Sequence, residues 1–140
     1  MTYIQAAELL RRQDNILILT HRRPDGDTIG CAVGLCAALR KLGNADASRL
    51  FTPYLEGYLA PDGFSPDFVV SVDIASRGLF PKNAQCWLEK GVDLAIDHHP
   101  SNEGFGRENC VDPGRAACGE LIYDIICQWG PVSPAAALPL

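Results

Sequence analysis

Three short apolar runs set what this chain can fold into. Ile16–Leu19 is unbroken, and 68–72 and 92–96 carry one polar residue each. Runs this short, flanked by turn residues, read as central strands of a parallel sheet buried on both faces. Between them lie stretches with helical periodicity. Strands alternating with helices predict an α/β chain with a parallel sheet flanked by helices on both faces, of Rossmann-like type. Only three strands are evident, so the outer strands are missing from the pattern.

The intervening segments predict helices over 2–13, 28–42, 81–90 and 116–129. Thr2 and Gln5 have the spacing of a capping box, and Ile4, Ala7 and Leu10 define one apolar face. The 28–42 segment is apolar nearly all round, which marks a buried helix. Its Gly30, Gly34 and alanines would let it lie close against the sheet. Pro81 opens the third helix and Gly91 closes it. Leu121, Ile122, Ile125, Ile126 and Trp129 form the inner side of the fourth. Residues 51–59 read as a short helix, 60–63 as a turn, 100–114 as a long loop and 133–138 as another short helix. The chain stops on the apolar Ala137-Leu138-Pro139-Leu140, which a finished domain would rarely leave exposed, so a partial chain is expected.

Composition narrows the function. The chain has 140 residues, enough for one domain, and a net charge of -5. That balance opposes the broad basic surface needed to hold long duplex nucleic acid, but not a short oligonucleotide held through metal ions. No segment has the length and apolarity of a membrane span, and Met1-Thr2-Tyr3-Ile4-Gln5 lacks a signal-peptide layout. A cytoplasmic protein is expected. None of the six cysteines forms a Cys-x-x-Cys pair. They read as small buried apolar side chains in a reducing compartment.

The polar residues that follow the strands carry the chemistry. His21, Asp25 and Asp27 lie in the turn after the first run, Asp73 follows the second, and Asp97, His98 and His99 close the third. An aspartate in a Pro-Asp-Gly turn alone serves the turn. Here, however, all three histidines of the chain fall in the two flanking clusters, and both clusters follow strands. The carboxyl ends of parallel strands are where open α/β sheets bind ligands. Crowded carboxylates call for cations, and a mixed His and Asp set suits Mn²⁺ ahead of Mg²⁺ or Zn²⁺. A carboxylate such as Asp73 can bridge two ions, the arrangement that serves in-line phosphoryl displacement.

The ordered pattern His21-x-x-x-Asp25-x-Asp27-x-x-Gly30, Val72-Asp73 and Asp97-His98-His99 resembles the DHH phosphoesterase superfamily over nearly the whole chain. The stretches Asp73-Ile74-Ala75-Ser76-Arg77-Gly78-Leu79-Phe80 and Arg115 to Tyr123 look most like the bacterial bifunctional oligoribonuclease and 3′-phosphoadenosine-5′-phosphate phosphatase branch. The resemblance implies that residues 1–140 are part of an N-terminal DHH domain. It implies a first metal on His21 and Asp25, a second on Asp27 and His98, and Asp73 bridging them. Asp97 would orient the ligands. His99 would touch the scissile phosphate or protonate the leaving oxygen, and Arg77 would meet a substrate phosphate. Gly30 would be a packing residue, and Ala116 and Ala117 would start a helix whose amino end could face an anion. The implied substrates are short oligoribonucleotides or nucleoside bisphosphates, with oligomerisation open for the full-length protein.

Two departures qualify the resemblance. Residues 43–48 leave little room for the strand that similar proteins carry after the second helix. The family's further aspartate, in a Thr-Asp-Thr-Gly-like stretch, and its C-terminal substrate domain are both absent from this sequence. The resemblance therefore implies a weak or inactive isolated chain. It leaves two alternatives open. One is another phosphohydrolase of the superfamily, acting on pyrophosphate, a cyclic dinucleotide or single-stranded DNA. The other is a non-catalytic metal-binding fragment.

Overall fold

The computed structural model describes residues 1–42, 51–54 and 64–140. Its centre is the unbroken apolar run, β1 (Ile16–Leu19), whose four side chains are all buried. Burial on both faces is why the run needs no alternation. Ile16 and Ile18 join one core layer, whereas Leu17 and Leu19 join another on the opposite face. Beside β1 run β2 (Phe51–Tyr54) and β3 (Phe68–Val72), then β4 (Leu94–Asp97) and β5 (Glu108–Val111). All five strands are parallel, in the order β2-β1-β3-β4-β5. This is the doubly wound order in which the winding direction reverses between β1 and β3, leaving a crevice at their carboxyl ends.

The larger core layer lies under α1 (Tyr3–Arg11), α2 (Gly26–Leu42), α4 (Cys118–Cys127) and α5 (Pro134–Ala137). The opposite layer is covered by a 3₁₀ turn at Arg77–Leu79, a second at Lys82–Ala84 and the short α3 (Gln85–Leu88). The capping box forms: Gln5 N donates to Thr2 Oγ1 at 3.2 Å, and Thr2 N to Gln5 Oε1 at 2.9 Å. In α4, Leu121, Ile122, Ile125 and Ile126 are buried as expected, and Trp129 sends its indole N–H to Ala7 O at 3.1 Å. Among the described residues no helix is long and apolar enough to cross a membrane.

Several expectations are corrected. Residues 51–54 form an edge strand and not the start of a helix, so the strand thought to be squeezed out is present. Proline is tolerated on an edge strand, and Phe, Thr and Tyr favour extended backbone. The rest of the expected helix and the turn at 60–63 lie outside the described residues. The expected loop at 100–114 contains β5, an edge strand too polar to read as one. The expected helix at 81–90 shrinks to a 3₁₀ turn and four residues of α3, stopped where Gly91 adopts φ 89°. Ile4 is solvent-exposed, and the buried face of α1 is Ala6, Ala7 and Leu10. Cys86 is exposed, whereas Cys31, Cys36, Cys110 and Cys118 are buried.

Gly30 and Gly34 of α2 face the C-terminal segment, not the sheet. A Cβ at Gly30 would stand 2.2 Å from Pro139 O, and one at Gly34 would stand 2.9 Å from Ala136 O. The apolar terminus is thus partly absorbed: Ala136 is buried and Leu140 packs on the core, although Leu138 remains 85% exposed.

Replacing Ile18 by Ala should destabilise the fold by about 2–5 kcal/mol, because it empties the middle of the central strand. Denaturant titration reads this directly. A loss well under about 1 kcal/mol would show that β1 is not close-packed.

Candidate metal centre

The site forms where the chain leaves three adjacent strands. His21 follows β1, Asp73 follows β3, and Asp97, His98 and His99 end β4 or follow it. Asp25 and Asp27 come from the start of α2. An open cleft of about 340 Å³ is lined by His21, Asp25, Asp27, Asp73, His98 and His99, with Arg22, Arg23 and Leu79. The tertiary fold thus brings together six expected site residues that span 21–99 in sequence.

Asp73 is the hub. It is 3% exposed and holds a left-handed backbone, φ 58°, unusual for a non-glycine residue. Its own N–H donates to Ile96 O at 2.9 Å, tying it to β4. The Thr28 hydroxyl donates to Asp73 Oδ2. Asp73 Oδ1 is buried with no hydrogen-bond partner. It faces His98 Nε2 at 3.6 Å and His99 Nδ1 at 3.7 Å, and Oδ2 lies 3.9 Å from His21 Nε2. Burial pushes the Asp73 carboxyl above its ordinary pKa; the Thr28 hydrogen bond pulls it back, and the Asp27 charge raises it further.

Asp25 and Asp27 each close a helix. Asp25 Oδ1 accepts from Thr28 N at 3.0 Å, which caps α2. That bond, ahead of the opposing effect of burial, lowers the Asp25 pKa. Both oxygens of Asp27 accept from the start of α4, from Cys118 N and Gly119 N at 2.8 Å each. The anion at this helix N-terminus is therefore the chain's own, and α4 starts at Cys118 and not at Ala116. Asp27 Oδ2 still lies 3.7 Å from His98 Nε2.

The two histidines after β4 have assigned tautomers by simple valence. His98 Nδ1 lies 3.2 Å from Arg115 O, and a carbonyl only accepts, so Nδ1 carries the proton. Its Nε2 lone pair is left for the acidic cleft. His99 Nδ1 lies 2.7 Å from Asp97 Oδ1, which likewise frees Nε2. Burial pulls the His99 pKa down, but the Asp97 hydrogen bond and the charges of Asp97, Asp73 and Asp27 outweigh it, leaving a net rise. Asp97, fully buried, also accepts from His98 N at 2.8 Å and from Asn102 Nδ2 at 2.7 Å.

Among the described residues, two sets of donor atoms lie within 4.8 Å of one another: His21, Asp25 and Asp73, and Asp73, His98 and His99. Asp73 belongs to both. Carboxylate and imidazole donors around one orphaned buried oxygen fit divalent cations. Arg77 stands apart from the cleft: its guanidinium donates to Phe105 O at 3.3 Å and lies over the Phe105 ring. Residues not singled out from the sequence are Thr28, Asn102, Arg22 and Arg23. Of these, Arg22 and Arg23 lie inside the His21–Asp27 motif, and their charge was a usable signal. Thr28 and Asn102 carried none, because only the fold shows what their short polar side chains bind.

The family model described as "DHH family, N-terminal domain" matches residues 15–137. The chain belongs to the DHH family. A Thermus thermophilus protein, "Bifunctional oligoribonuclease and PAP phosphatase NrnA", is 36% identical over 128 residues, covering 86% of this chain and 39% of that protein. The Mycoplasma pneumoniae protein of the same description is 30% identical, covering 97% of this chain and 47% of its own length. The DHH chain thus spans less than half of each of these two relatives. Its fold matches an exopolyphosphatase-related protein of Bacteroides fragilis with a TM-score of 0.75 at 20% identity, over 98% of this chain and 47% of that one.

Asp73→Asn should raise metal-free stability, since it removes a buried charge while Asn tolerates positive φ. Thermal melts check this with and without Mn²⁺. Wild type should gain stability from the ion and the variant should not. A variant that melts lower without metal, yet keeps the Mn²⁺ gain, would contradict the role assigned to Asp73.

Proposed function

We propose that this DHH chain carries the catalytic centre of a divalent-metal-dependent phosphoesterase acting on short oligoribonucleotides and 3′-phosphoadenosine-5′-phosphate. The observation that carries the reading is the buried Asp73 carboxylate, one oxygen unpartnered, shared between two His and Asp donor sets. The relatives described as oligoribonuclease and PAP phosphatase support the substrate class. His21, Asp25 and Asp73 would hold one ion. Asp73 and His98 would hold the other, with Asp27, whose Oδ2 lies 3.7 Å from His98 Nε2, in place of His99, whose Nδ1 is taken by Asp97; Mn²⁺ suits this donor set ahead of Mg²⁺. A divalent metal bound by these residues would supply positive charge toward the phosphoryl oxygens and lower the pKa of a water.

The chain's own groups do the rest. Thr28 fixes one Asp73 oxygen, which leaves the other free to face the cleft. The Arg115 carbonyl holds His98 in the tautomer that directs Nε2 inward. Asp97, itself held by Asn102, locks the ring orientation of His99 and favours its protonated form. His99 Nε2 is then a proton donor for the leaving oxygen. Backbone N–H groups at the amino ends of α2 and α4 hold the Asp25 and Asp27 carboxylates in place beside the cleft.

Incubation of the full-length protein with Mn²⁺ and 3′-phosphoadenosine-5′-phosphate should release phosphate, with weak or no release from the 140-residue chain alone, and EDTA should abolish the release. His99→Ala should lower turnover by about 10²–10⁴-fold while leaving Mn²⁺ binding in place. Asp73→Ala should remove Mn²⁺ binding at both positions, as calorimetry would read. Turnover that survives EDTA, or wild-type Mn²⁺ affinity in Asp73→Ala, would falsify the proposal.

A further inference from the structure

The acidic cleft has a basic neighbour. Arg22 and Arg23, on the turn after β1, line the cleft that holds His21, Asp25 and Asp73. The same two residues line a second hollow of about 560 Å³, together with Pro81, Lys82 and Asn83. The two spaces therefore share Arg22 and Arg23 in their walls. Among the described residues, three cations and one amide line the second hollow, and no carboxylate does.

These cations differ from the other arginines nearby. Arg107 pairs with Asp93, Arg115 pairs with Asp112, Glu120 and Asp124, and Arg77 is spent on the Phe105 carbonyl. Among the described residues, no carboxylate forms an ion pair with Arg22, Arg23 or Lys82. The two loops that bear them are also joined: Arg22 N donates to Leu79 O at 2.8 Å, linking the turn after β1 to the 3₁₀ turn just before Pro81. The wall is thus built from backbone held in place, with its charged ends open to solvent.

The physical need is clear. The chain has a net charge of -5, and its cleft gathers carboxylates. A ligand with several phosphates is repelled by such a surface beyond the reach of any ions in the cleft. Unpaired cations at the rim offset that repulsion where it acts. A guanidinium meets two phosphate oxygens at once, and an ammonium adds a point charge.

We propose that the basic hollow formed by Arg22, Arg23 and Lys82 binds the second, non-scissile phosphate of the substrate. The site would then select ligands whose two phosphate groups are separated by one sugar over monophosphates. This deepens the phosphoesterase reading and rests on it for placing the scissile phosphate in the acidic cleft.

The test is calorimetric, on the full 140-residue chain, with adenosine 3′,5′-bisphosphate and adenosine 5′-monophosphate as probes, each with and without Mn²⁺. Wild type should favour the bisphosphate by on the order of tenfold or more, the size of one charge-assisted contact. Lys82→Ala and Arg22→Ala should each cut that preference several-fold, and Lys82→Ala should leave Mn²⁺ affinity unchanged. Equal affinity for the two probes in wild type, or an intact preference in both variants, would overturn the proposal. A preference that depends on Lys82 in a protein that neither binds Mn²⁺ nor turns over substrate would uphold the basic hollow and sink the phosphoesterase reading alone.

Discussion

A carboxylate with no room for water on one side governs this structure. Asp73 is held at the crevice where the sheet reverses its winding, in a backbone conformation that side chains other than glycine seldom adopt. One of its oxygens is tied to Thr28 and the other is buried without a donor. In a fold with no compensating cation, such a group is a standing cost. The surroundings are arranged around that cost: imidazoles from the ends of the two flanking strands, β1 and β4, lie close to it, and the Ile96 carbonyl of β4 accepts its backbone N–H.

The acids nearest to it serve two purposes. Asp25 closes α2 and Asp27 closes α4, so the carboxylates that gather in the cleft also complete the helices that cover the sheet. Fold and site are therefore coupled through the same bonds. The carboxylates are pre-organised by this, because oxygens anchored by backbone amides are already ordered. The imidazoles are fixed in the same manner, His98 by the Arg115 carbonyl and His99 by Asp97. Arg22 and Arg23 then place positive charge on the rim of an acidic pocket, so the surface changes sign over a short distance.

What could be read from the sequence depended on burial. Strands covered on both faces, such as Ile16–Leu19, are apolar without a break and declare themselves. The edge strands β2 and β5 are not, because each is paired on one side only and Glu108-Asn109-Cys110-Val111 has little apolar content. Residues 51–54 misled because Leu55 and Leu59 suggest helical spacing in a segment whose first residues pair with β1. Gly30 and Gly34 signalled a close approach correctly but not its partner, since a missing side chain does not say which neighbour fills the space.

The sequence by itself determined the class of fold and pointed to the acids and imidazoles that line the cleft, because strand burial and the clustering of acids with imidazoles are local patterns. It could not say that Asp27 turns toward α4, that Thr28 and Asn102 hold the central carboxylates, or that Arg77 lies outside the cleft while Arg22 and Arg23 line it. Apart from the Asn102–Asp97 bond, those facts depend on contacts between residues tens of positions apart. Only the packed sheet, by bringing three strand ends side by side, decides them.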